Sequence, residues 1–199
     1  MVTKTPPVRI GVLGAHSTGK TMLLKRIEME LRANGATPVR TGRIGKRAAL
    51  NGLPKMQHHT AASTEWIIAQ GIADEIAAAA QGADVVLADR APHDAIAYLN
   101  AALEFRGEQI HRLERNRLLL LASTQLPKYD LLLATVLDAT VPVEKKHDYD
   151  PRYRALVDQH THALLTGEAI PHLRVTNDPD SQAHAVAQAL ELCLREAAV

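Results

Sequence analysis

Short apolar runs alternate with longer amphipathic stretches along the chain. Residues 8–13, VRIGVL, read as a buried strand, and residues 18–33 as the helix that follows it. Residues 37–40 make a weaker strand. An Ala-rich helical pattern covers 60–81, with Thr60 or Ser63 placed to cap it. Residues 84–88 form a second clear strand, and Pro92 suits the first turn of the helix after it. A helix with a strongly apolar second half is expected over 109–123, then strands over 130–136 and 172–176, and a closing helix over 181–197. Five strands alternating with helices predict an α/β fold: a three-layer, mostly parallel sheet with helices on both faces.

The turn after the first strand carries the strongest chemical signal. Gly14-Ala15-His16-Ser17-Thr18-Gly19-Lys20-Thr21 fits G-x-x-x-x-G-K-[ST] in full. Its glycines let successive backbone N–H groups turn toward phosphate oxygens, and the positive end of the next helix adds to that attraction. Lys20 is expected at the β- and γ-phosphates, and the Thr21 hydroxyl on Mg²⁺. An apolar strand before the motif and an amphipathic helix after it supply the context the motif requires. His16 has no assigned role beyond filling the loop.

A second acidic element belongs at the end of a neighbouring strand, where ligands of open α/β sheets bind. The run 84–88 ends there in Asp89 and Arg90. Asp89 is a candidate for the metal's shell or for proton acceptance, and Arg90 for holding a phosphate through its planar fork. Asp94 is a candidate for acceptor hydroxyls, against the plainer reading of an acid favoured at a helix N-terminus. His93 reads as packed or solvated.

Charge sharpens this picture. Net charge is +1, yet residues 1–60 hold eleven Lys and Arg against Glu28 and Glu30, which leaves the remainder at −8. A basic first third points to phosphate-bearing ligands or nucleic acid. With 46% hydrophobic and 23% charged residues, the 199-residue chain is one globular domain, and a disordered, collagen-like or disulfide-stapled protein is excluded. Cys193 is alone and reads as core. No apolar run approaches the roughly 20 residues a membrane helix needs, and the first residues lack a secretory signal, so a cytoplasmic location is expected. His58 and His59 are adjacent, and His160 and His162 lie two apart in an expected helix. Neither pair has zinc-helix spacing.

These motifs resemble the P-loop kinases of nucleosides and nucleotides, most closely the AAA_28-type family that includes nicotinamide riboside kinase domains. The loop Gly14 to Thr21 is the first match. The second is Asp89-Arg90 through Asp94 to Tyr98, similar to the family's DR…D…AY segment. Tyr129-Asp130 and the helix from Ser63 to Glu75 add weaker likeness. The resemblance implies a lid at about 141–154, with Arg152 and Arg154 as phosphate clamps.

Two departures concern the acceptor. The family's Glu-x-x-Arg after the second strand is replaced by a segment holding Arg40, Arg43 and Arg47 without a carboxylate, and the lid lacks an Asp-Gly. An anionic acceptor, a nucleotide or phosphorylated sugar, is therefore expected. The resulting expectation is an ATP- or GTP-dependent, Mg²⁺-using kinase of a small molecule, a nucleoside, nucleotide or related phosphorylated metabolite. A regulatory nucleotide switch and a nucleic-acid end kinase are the alternatives. The first lacks the N-K-x-D guanine motif, and the second has only six aromatics for base stacking. Homodimerisation stays open.

Overall fold

The computed structural model describes residues 6–141 and 150–196. Strand β1 (Val8–Leu13) turns into α1 (Lys20–Ala33), and β2 (Pro38–Thr41) into the short α2 (Ile44–Leu50). Then come α3 (Ala61–Ala80), β3 (Val85–Asp89), α4 (Pro92–Arg106), α5 (Arg112–Ser123) and β4 (Leu131–Thr135). Helix α6 (Pro151–Gly167), β5 (Leu173–Val175) and α7 (Pro179–Glu196) complete the chain. The strands form one sheet in the order β2-β3-β1-β4-β5, and each pairing is parallel.

Strand alternation sorts the core onto two faces. Ile10 and Val12 of β1, Leu87 of β3 and Leu133 of β4 pack against Leu24, Ile27 and Leu31 of α1 and Ala185 and Ala189 of α7. Leu13, Leu132 and Ala134 point to the other face and meet Leu165 of α6, while Val86 meets Ala78 of α3. Beyond them, α4 packs into a cluster with α3 and α5 through Ile96, Leu99, Ile68 and Leu118. Helix α4 is buried almost all round, from Pro92 through Ala102. Its run of Ala suits a helix with neighbours on every side.

Local chemistry sets the helix ends. Thr60 caps α3 in a reciprocal box with Ser63, one of the two expected candidates serving as cap and the other as its partner. Asp150 caps α6, accepting from the backbone N–H of Arg152 at 2.8 Å and of Tyr153 at 3.2 Å, with Pro151 in the first turn. That helix starts inside the expected lid. Residues 142–149 lie outside the described residues; Arg152 and Arg154 belong to the first turn of α6, and Tyr153 between them is wholly buried. Helix α2 had no sequence signal. It is seven residues long, begins at Arg43 without a side-chain cap, and buries only Ile44 and Ala48. Among the described residues, no helix is long and apolar enough to cross a membrane.

Candidate active site

The turn between β1 and α1 is shaped by contacts beneath it. Gly14 has φ 137°, and a Cβ there would stand 2.1 Å from Thr135 Oγ1, so only glycine fits. Thr135, at the end of β4, donates to Leu13 O at 3.1 Å and meets Thr18 Oγ1 at 2.6 Å. Asp94 accepts the Gly14 N–H at 2.8 Å, and Arg154 donates to the carbonyls of His16 at 3.1 Å and Ser17 at 2.9 Å. Three elements, β4, α4 and α6, thus hold the loop. Gly19, in the left-handed region, starts α1 without a side-chain cap, leaving the first N–H groups of the helix for an anion.

Lys20 folds back over this loop. Its Nζ donates to Gly14 O at 2.7 Å and to Ala15 O, and only 5% of the residue is exposed. Burial, followed by the nearby Arg90, pushes its pKa down to about 7, with Asp94 and Asp89 opposing.

At the loop's open side, Thr21 Oγ1 donates to Asp89 Oδ2 at 3.0 Å. Asp89 ends β3, opposite Val12 in the register. Among the described residues no cationic side chain forms a salt bridge with Asp89, and no group of three His, Cys, Asp or Glu gathers into a metal cage. A hydroxyl beside one unpaired carboxylate fits Mg²⁺, a hard cation that keeps waters and arrives with phosphates.

The remaining expected residues divide. Arg90 adopts φ 95°, pairs with Asp94 Oδ2, and lies 4.7 Å above the Tyr98 ring. Asp94, 1% exposed, has one oxygen on Gly14 and the other on Arg90. It joins the loop to α4 and also lines the narrow cavity described below. Arg40 and Arg43 line the cavity described below, Arg40 with its Nε 3.1 Å from Glu28. Arg47 does not line it and pairs instead with Asp74 of α3. Arg152 sits over Phe105 at 5.5 Å, outside the cavity lining, and Arg154 braces the loop from behind.

A cavity of about 740 Å³ opens from the loop toward α2. Its lining holds Lys20, Lys25, Arg40, Arg43, Lys46, Lys55 and Arg90 against a single carboxylate, Asp89. Among the described residues, four of the five non-glycine residues with positive φ also line it: Ser17, Arg43, Met56 and Arg90. Such backbone costs of order 1–3 kcal/mol per residue and clusters at functional sites. Sequence reasoning missed Lys25, Lys46, Lys55 and Met56. The signal for three of them was the basic first third itself, and for Met56 there was none.

A narrower cavity of about 60 Å³ continues past Arg90 and Met56, lined by Ile67, Ala95, Tyr98 and His59. His59 is 3% exposed, and among the described residues neither ring nitrogen has a hydrogen-bond partner. A buried polar atom left unsatisfied costs about 1–3 kcal/mol. Burial, then Arg90 and Arg106, push the His59 pKa down to about 4, so the ring is neutral at pH 7.

Comparison with known proteins bears on the fold. The NadR protein, solved in complex with NR, superposes with a TM-score of 0.64 at 13% identity, over 92% of this chain and 50% of that one. The present chain thus spans about half the length of the NadR chains it matches. Thymidylate kinase from Candida albicans gives 0.63 at 17% identity, covering 96% and 92%, and deoxyadenosine kinase from M. mycoides gives 0.56 at 8%, covering 96% and 100%. No curated protein matches in sequence. These likenesses establish the fold of P-loop nucleoside and nucleotide kinases. The AAA_28 model, described as an AAA domain, matches residues 9–181, from the first strand through the phosphate loop, Asp89 and the start of the last helix, and the chain belongs to that family.

Proposed function

We propose that this protein transfers the γ-phosphoryl group of ATP or GTP to a small anionic acceptor, a nucleoside phosphate or related phosphorylated metabolite. The observation that carries the reading is the large cavity, continuous with the phosphate loop and lined by seven cationic side chains against one carboxylate. A nucleoside triphosphate and a phosphorylated acceptor together bring the negative charge such a lining would neutralise.

Phosphoryl transfer asks a protein mainly for positioning and charge neutralisation. The loop amides and the start of α1 hold the β- and γ-phosphates, and Lys20 leaves the Gly14 and Ala15 carbonyls to reach them. Thr21 and Asp89 would hold Mg²⁺, which neutralises phosphate charge when bound. Asp89 also faces the cavity and is the one carboxylate there to orient an acceptor hydroxyl and take its proton. The acceptor oxygen bonds to the γ-phosphorus as the bond to the β–γ bridging oxygen breaks, and the nucleoside diphosphate leaves. Arg90 lines the cavity with its guanidinium held by the Asp94 carboxylate and the Tyr98 ring, and would face the transferring group from there.

The test measures ADP and GDP release with Mg²⁺ across nucleosides, nucleotides and sugar phosphates, with product masses read in parallel and Lys20→Ala as control. An acceptor-dependent product heavier by one phosphoryl group is expected. Slow release indifferent to every small acceptor overturns the reading in favour of a regulatory nucleotide hydrolase, and phosphorylated oligonucleotide ends in favour of a nucleic-acid kinase.

A further inference from the structure

His16 and Arg154 are 138 residues apart, and the structure makes them parts of one brace behind the phosphate loop. The first turn of α6 is firmly seated. The Tyr153 ring is wholly buried, donates its hydroxyl to Tyr98 O at 3.2 Å and meets Phe105 edge-on at 5.7 Å. The His16 ring stacks on the same Tyr153 ring at 6.2 Å, with 20° between the planes. Beside this anchor Arg154, 6% exposed, turns one edge of its guanidinium to the loop. Its Nε donates to His16 O at 3.1 Å and its Nη2 to Ser17 O at 2.9 Å. A planar fork that serves two neighbouring carbonyls at once is something arginine offers and lysine does not.

Those two bonds fix more than the carbonyls. In a planar trans peptide the N–H points opposite to the C=O, and among the described residues no peptide is cis. The carbonyls of His16 and Ser17 share their peptide planes with the N–H groups of Ser17 and Thr18. With both carbonyls turned to Arg154, those two N–H groups are turned to the other side. Ser17 lines the large cavity and Arg154 does not, so the other side is where an anion arrives. Ser17 also has φ 57°, a left-handed conformation uncommon for serine. Lys20 holds the earlier carbonyls, those of Gly14 and Ala15, only until it moves to a phosphate.

We infer that Arg154 is a positioning residue of the nucleotide site. It locks the 16–17 and 17–18 peptide planes, aiming two loop N–H groups at a polyphosphate before one binds, and does not itself touch phosphate. This moves it away from the phosphate clamp expected of it. The inference goes beyond the kinase reading and requires only that the loop binds a nucleotide, so it holds equally for a regulatory hydrolase.

Titrations of ADP and of the non-hydrolysable AMP-PNP, each with Mg²⁺, into Arg154→Lys separate this role from a clamp. Lysine keeps the charge and loses the fork. Because the loop amides serve phosphates that both ligands carry, both affinities should fall by one common factor. That factor should be about tenfold, the scale of one hydrogen bond lost. In the ligand-free variant the amide signals of Ser17 and Thr18 should move or double as the released peptides flip, while those of α7 stay in place. A second measurement needs no variant: the Arg154 Nε–H signal of the native protein should stay protected from exchange with water when either ligand is bound.

Unchanged ADP affinity in folded Arg154→Lys, whatever its melting temperature, would make Arg154 a packing residue. Loss of AMP-PNP affinity alone, or of Nε–H protection once AMP-PNP is bound, would return it to the phosphates as a clamp. Either result overturns the inference. Both ligands bind without an acceptor, so a failure to phosphorylate any acceptor would count against the kinase reading alone.

Discussion

The phosphate loop and the wall facing it across the cavity are built on opposite terms. The loop is closed upon itself: Gly14, His16, Ser17 and Thr18 are each held by Asp94, Arg154 or Thr135, and Lys20 is tucked onto loop carbonyls. Across the cavity, Arg43, Lys46 and Lys55 line open space without a salt-bridged carboxylate among the described residues, and His59 behind them has unpaired nitrogens. The first region has its shape before any ligand arrives. The second has exposed cations that meet solvent, and a buried imidazole without a hydrogen-bond partner among the described residues. The proposed kinase reading accounts for that division: a common phosphoryl-transfer step on one side and an acceptor particular to this chain on the other.

The strongest test of the closed region is Lys20→Ala. Turnover should fall by at least about 10²–10³-fold, the scale lost when a preorganised donor to developing charge is removed, with circular dichroism unchanged. A normal rate would take Lys20 out of the chemistry. Next in size, Asp94→Ala removes a buried carboxylate from both Gly14 and Arg90, and should cost about 3–5 kcal/mol in urea denaturation. A loss below about 1 kcal/mol would mean the loop keeps its form without that tie.

The open region is sharpened by setting two neighbouring arginines against each other. Arg43 lines the cavity, whereas Arg47, one turn on, pairs with Asp74 away from it. Arg43→Ala should raise the acceptor KM about tenfold, roughly the worth of one charged contact. Arg47→Ala should leave KM alone and cost about 0–1 kcal/mol of stability, because the pair is partly exposed. Equal effects on KM would erase the distinction between the two.

The smallest effect concerns protons. Lys20 has its pKa pushed down to about 7, and bound phosphate raises it. Between those values the complex holds a proton that the free protein lacks. Nucleotide binding should therefore take up protons at pH 8, and affinity should fall as pH rises above 7. Calorimetry in buffers of different ionisation enthalpy reads the uptake directly, and none at pH 8 would show that Lys20 is already charged.

Much of the closed region was legible because its parts are local. Gly14 to Thr21 is contiguous, and the strand before it and helix after it carry clear periodicity. The same holds for Asp89 and Arg90 at the end of an apolar run. What escaped was what depends on distant partners. Asp94 looked like a helix-start acid or an acceptor ligand, since nothing in sequence announces a bond to Gly14 eighty residues away. Arg152 and Arg154 were expected as phosphate clamps of a lid; that they open a helix is signalled by the Asp150-Pro151 start pair, while the buried Tyr153 between them is set by distant packing. His59 was set aside because it lacks metal spacing, and only burial reveals that its nitrogens are unserved.

Helix α4 runs behind both regions. Asp94 in its first turn grips the phosphate loop, Ala95 and Tyr98 wall the narrow cavity, and Arg106 at its far end clamps the segment bearing His59. Its neighbours enclose it, so it moves as a rod or not at all. Any displacement produced at one end is delivered to the other. On the proposed kinase reading, donor and acceptor should then bind with a mutual free-energy coupling carried through this helix as well as through their own contact, each altering the other's affinity by the same factor.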